Sequence, residues 1–91
     1  MIQSASWTMQ EEVKFNRQHV SSLDWNSYPI FRFHQVPEVE VEVIDRPQED
    51  VMGAGEAAQG PAAAAIANAV FNACGKRVRS LPMVAEKVME A

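Results

Sequence analysis

Among 91 residues, the side chain best placed by its sequence neighbours to do chemistry is Glu56. It follows Gly53-Ala54-Gly55, where two glycines let the backbone take a positive φ or come close to a ligand. It precedes 19 residues, Ala57 to Gly75, that carry no charge. In apolar surroundings desolvation disfavours the ionised carboxylate, the condition that suits a general base near neutral pH. The plainer reading is an acid ahead of a helix, complementing the positive end of the dipole. The residue pattern leaves both open.

Other candidates point less firmly to chemistry. Glu38, Glu40 and Glu42 could gather a cation, but acids alternating along a strand are ordinarily a solvated face. Cys74, followed by Gly75, reads as a small packed hydrophobe, with no histidine near it in sequence to activate it. His19 and His34 sit in polar or strand-edge contexts that suit surface or hydrogen-bonding roles. Trp7, Trp25, Tyr28, Phe31 and Phe33 could line a pocket or fill a core. Gly53-x-Gly55 before a helix lacks the remaining glycine of a GxGxxG phosphate loop.

The elements that position these residues form an α+β pattern in a single partial domain over residues 1–91. Ile2, Ala5, Met9 and Val13 follow helical spacing and predict a helix over 2–14. Thr8-x-x-Glu11 matches a capping box that would start the helix later, and the longer reading is preferred. Residues 16–29 read as loop with a turn near Asp24–Ser27. Short strands are expected at about 30–34 and 38–44, the second with Val39, Val41 and Val43 on one face and three Glu on the other. After a polar, glycine-containing loop comes a buried helix over 61–74. Pro61 suits its first position, Gly75 its left-handed end, and Lys76, Arg77 and Arg79 follow the negative end of its dipole. Ile66, Val70 and Ala73 share a face with Ala62 and Ala69, while Phe71 points nearly opposite. A helix apolar on most sides is packed from several directions, which 91 residues can hardly do alone. Leu81-Pro82 breaks the chain before a short last helix within 83–91, with Val84 and Val88 inward.

Composition narrows the function classes. Of 43 hydrophobic residues 13 are alanine, leaving 30 larger ones, too few to enclose a deep active site. Twelve acids against eight bases, a net charge of −4, argue against nucleic-acid binding. One cysteine excludes an internal disulfide, a CxxC pair and a cysteine-ligated iron–sulfur cluster, and two distant histidines make a zinc site unexpected. The N-terminus lacks the basic and apolar regions of a signal peptide, so a cytoplasmic location is expected. The helix-compatible residues 61–74 fall short of the ~20 apolar residues that span a bilayer.

Several segments in order carry a resemblance: Ser6-Trp7-Thr8-Met9-Gln10-Glu11-Glu12-Val13, Asp24-Trp25-Asn26-Ser27-Tyr28-Pro29-Ile30, Gly53-Ala54-Gly55-Glu56-Ala57-Ala58, Pro61 through Val70, and Gly75-Lys76-Arg77-Val78-Arg79-Ser80-Leu81-Pro82. Together they cover almost the whole chain. The chain resembles the C-terminal end of the molybdenum-binding subunit of the xanthine dehydrogenase/aldehyde oxidase family, nearest the isoquinoline 1-oxidoreductase beta-subunit type. The resemblance implies a piece of a larger molybdopterin-binding domain. It implies hydroxylation of aldehydes or electron-poor N-heteroaromatic rings with water as oxygen source. It implies Glu56 as general base, with Gly53, Ala54 and Gly55 lining the cofactor through their backbone. The metal is then held by the pterin rather than by protein ligands. Implied partners are the remainder of the molybdenum subunit and a separate iron–sulfur subunit, and the parent enzyme could be periplasmic. The competing expectation is a non-catalytic, truncated or degenerate module that folds alone or self-associates, its apolar helix covered by another copy.

Overall fold

A computed structural model describes residues 1–91. It contains three α-helices, α1 (Ile2–Met9), α2 (Pro61–Cys74) and α3 (Ala85–Glu90), with a 3₁₀ turn at Phe33–Gln35. The helix α1 begins where the apolar spacing starts but ends five residues short of the expected limit. Its terminus is set by polar groups: the Gln10 and Glu11 N–H groups both reach back to the Ser6 carbonyl. The alternative capping box does not form. The Thr8 hydroxyl instead donates to the Ser4 carbonyl at 2.6 Å, inside the helix.

The small core lies around α1. Six of 91 residues are buried: Ser4, Ala5, Ser6 and Thr8 on the helix, with Pro82 and Met83 against it. The Met83 N–H donates to the Thr8 carbonyl at 2.7 Å, so the segment before α3 closes the end of α1. Met83 is therefore the buried anchor of the C-terminal region, while Val84 and Val88 are half-buried.

The helix α2 has the expected bounds. Pro61 opens it, where a missing N–H costs nothing, and Gly75 closes it at φ 72 with its N–H on the Phe71 carbonyl at 2.7 Å. It is not buried within this chain. Of the helices only α1 packs on it; Ala62, Ala63, Ile66, Ala67 and Val70 are half-buried, while Ala69 and Ala73 are exposed. Neither expected strand pairs. Residues 30–34 run into the 3₁₀ turn, where the Gln35 N–H bonds the Arg32 carbonyl at 2.8 Å. Residues 38–44 have no neighbour offering a ladder, and the sole β-bridge joins Phe15 to Val20 elsewhere. No helix is long and apolar enough to cross a membrane.

The fold is open for its length. Its radius of gyration is 16.3 Å, against about 12 Å for a compact chain of this size. Its surface is 7807 Å², against roughly 5,300 Å² for a compact monomer. Thirty backbone–backbone hydrogen bonds form, about half the number usual for such a length.

Candidate functional site

The loop that carries Glu56 is held at one end only. The Gln59 N–H bonds the Glu56 carbonyl at 3.0 Å, and the Ala62 N–H bonds the Ala58 carbonyl at 3.1 Å, so a turn runs into α2. The Glu56 side chain lies just ahead of that helix, exposed, with no hydrogen-bonding partner in the chain. The apolar neighbours in sequence do not become neighbours in space, because α2 carries its alanines away from the loop. The dry setting expected of a general base is thus not supplied by these 91 residues.

Gly53 and Gly55 both keep negative φ, so neither is required by a left-handed backbone. A Cβ at either would meet nothing within 4 Å. The N–H groups of residues 53–56 make no hydrogen bond within the chain. The loop therefore leaves its backbone N–H groups unbonded beside an exposed carboxylate. Unbonded N–H groups and a free carboxylate could border a polar group on one side only, and every other wall is left to be supplied. No three His, Cys, Asp or Glu side chains converge anywhere on a possible metal position.

The remaining sequence candidates are dispersed. Glu38, Glu40 and Glu42 are exposed and gather no further acid. Cys74 is exposed at the end of α2, its thiol directed to the Val70 carbonyl at 3.1 Å. His19 lies in the turn between Phe15 and Val20, and His34 in the 3₁₀ turn, both exposed. Trp25 and Tyr28 border an open depression of about 330 Å³ with Leu23, rather than an enclosed pocket. The Asp24 carboxylate accepts the N–H groups of Asn26 and Ser27 and the Ser27 hydroxyl. Those bonds, led by the Ser27 side chain, hold Asp24 below its ordinary carboxylate value.

Two constellations lie outside what the residue pattern predicts. Glu11 accepts the Ser6 hydroxyl on one oxygen and the Tyr28 hydroxyl on the other, the latter at 2.8 Å. Ser6 in turn accepts the Phe31 N–H at 3.0 Å, so one carboxylate ties the 24–31 loop to α1. Near the end of α2, the Arg77 guanidinium stacks 3.7 Å over Phe71 and donates to Asn68 at 3.1 Å. The spacing Ser6-x4-Glu11 and the pair Phe71/Arg77 are visible in the sequence, but no helical or strand period joins such positions.

No family model matches the chain, and no solved structure matches it. Over all 91 residues it is 46% identical to a stretch of one subunit of the nicotinate dehydrogenase of Pseudomonas putida. The chain spans 8% of that protein's length. At this identity the chain is a homologue of a segment of that subunit.

Proposed function

We propose that the chain is the segment of a molybdenum-dependent hydroxylase or dehydrogenase subunit that contributes the general base, Glu56. The observation that carries the proposal is the whole-length identity to a segment of a dehydrogenase subunit, together with the free Glu56 carboxylate beside open backbone donors. N-heteroaromatic acids related to nicotinate are the first substrates to test, with aldehydes second. The isoquinoline oxidoreductase type is a further possibility within the same reading.

In this reading the backbone N–H groups of Gly53, Ala54 and Gly55 border the cofactor, in space that no other part of this chain occupies. A bound molybdenum–pterin group supplies two-electron redox chemistry that no side chain here can supply. Glu56 Oε accepts the proton released when water, the oxygen source, is activated for attack on the substrate carbon. Neighbouring polypeptide must exclude water from the loop, since this chain does not. Any iron–sulfur electron carriers in this reading lie outside these 91 residues, because a lone cysteine cannot ligate them.

The test is Glu56→Gln in the enzyme assembled with its completing polypeptides. Turnover falls by about 10²–10⁴-fold, the usual contribution of a positioned base, while molybdenum content is unchanged. Retained turnover at normal metal loading overturns the assignment. The broad uncovered face of α2 favours one alternative, a non-catalytic module that self-associates through that helix. Size-exclusion chromatography with metal analysis separates the two. A stable homo-oligomer that never enters a molybdenum-containing assembly supports the alternative.

A further inference from the structure

We propose that residues 38–44 form a docking strand for a strand of the completing polypeptide that alternates basic and apolar side chains. The inference rests on the homology to a subunit segment and not on any role of Glu56. The segment Glu38-Val39-Glu40-Val41-Glu42-Val43 has the strict period of a half-buried strand, yet residues 37–45 make no hydrogen bond within the chain. Val41 and Val43 are 68% and 85% exposed, so the apolar face is as uncovered as the backbone. A segment with strand alternation and unbonded main-chain groups is suited to pair with an incoming strand, where main-chain bonds bind and side chains select.

Two features identify the occupant. Val39, flanked by Glu38 and Glu40, borders an open groove of about 300 Å³ whose apolar walls include Ala5, Ala62, Ala65 and Ile66. Apolar side chains on a docked strand would therefore continue into the contact between α1 and α2. Once the segment is paired as a strand, its alternation sets three carboxylates and no base on the side opposite the valines. A second copy paired with its valines on the same side would set Glu opposite Glu, which is unfavourable in a ladder. Lys or Arg opposite the same positions is favourable. The chain matches 8% of the homologous subunit's length, and the remainder of that protein is long enough to provide such a strand.

The experiment follows backbone amide exchange in the full chain with two capped heptapeptide probes, one alternating Lys and Val, the other Glu and Val. The Lys peptide slows exchange at alternate amides of 38–44 and binds roughly tenfold more tightly than the Glu peptide, the preference three opposite-charge pairs provide. The E38K/E40K/E42K variant reverses that preference. Val41→Pro keeps every charge and abolishes the protection. Because Val41 is exposed, its replacement leaves the remaining fold intact. Equal protection by both peptides, protection that survives Val41→Pro, or protection that grows with the concentration of the chain alone overturns the proposal. None of these readouts involves turnover, so failure here is distinct from failure of the Glu56 assignment.

Discussion

Tyr28 is the sole tyrosine of the chain, so its phenol reports directly on the carboxylate that ties the 24–31 loop to α1. The hydrogen bond it donates to Glu11 is the leading cause of a raised phenol pKa, followed by burial and by the negative charge of Glu11. Glu11→Gln removes the charge while keeping the shape. Absorbance titration of the phenolate should place the wild-type midpoint above the ordinary value of about 10 and the variant closer to it. The sign for stability follows: the folded state holds the phenolic proton more tightly than the unfolded chain. The contribution is complete below the unfolded pKa and is lost as pH rises through the folded one. A bond to a charged acceptor is worth about 1.5–3 kcal/mol when dry, and solvent at half-exposed Tyr28 reduces it to about 1 kcal/mol. Glu11→Ala costs more, about 2–3 kcal/mol, because the hydroxyl of Ser6, 3% exposed, also loses its acceptor. A double-mutant cycle of Glu11→Ala with Tyr28→Phe should return a coupling of about 1 kcal/mol. Identical phenol midpoints in wild type and Glu11→Gln, or strictly additive stabilities, would refute the reasoning.

Two smaller perturbations probe the end of α2. Gly75→Ala meets no steric wall, yet it places a side chain at φ 72 and should cost about 1–2 kcal/mol, seen as lost helicity by circular dichroism. An unchanged spectrum and melting temperature would contradict the left-handed cap. Arg77→Ala should cost about 0.5–1 kcal/mol through the lost stack on Phe71. Phe71→Leu should reduce the Arg77 effect to what the bond to Asn68 contributes, and an undiminished Arg77 effect in that background would show that the stack is irrelevant.

What is legible in the sequence is local. Pro61 and Gly75 bracket α2 because each acts through its own backbone, so the helix appears whatever surrounds it. The Asp24–Ser27 turn is equally local, since its bonds link residues at most four apart. The strands are legible as patterns and not as structure. Alternation specifies which side faces inward, but a strand exists only when another backbone pairs with it, and residues 38–44 find none here. The apolar period overstates α1, because Val13 keeps that period after the backbone has turned away. The Ser6–Glu11–Tyr28 link is hidden because two of its partners are 17 residues apart. As for Glu56, the residue pattern locates a carboxylate before a helix and does not say whether its surroundings are wet.

That last question connects to the surface. The chain exposes some thousands of square ångströms more than a compact monomer would, an excess comparable to a permanent interface. The exposed features include the patterned ones, the outer face of α2 and the valine side of 38–44, and also the loop at 53–56. Ordinary surface loops do not carry strict alternation or a helix apolar on most sides. Covering these features requires polypeptide from outside the 91 residues, and covering α2 would also change the surroundings of the Glu56 loop immediately before it. Desolvation of that carboxylate and burial of that helix are thus expected as one event. Solvent protection of the 53–56 amides should rise together with that of the α2 face when the completing chain binds. Protection of α2 alone would leave Glu56 in water and argue for the non-catalytic reading.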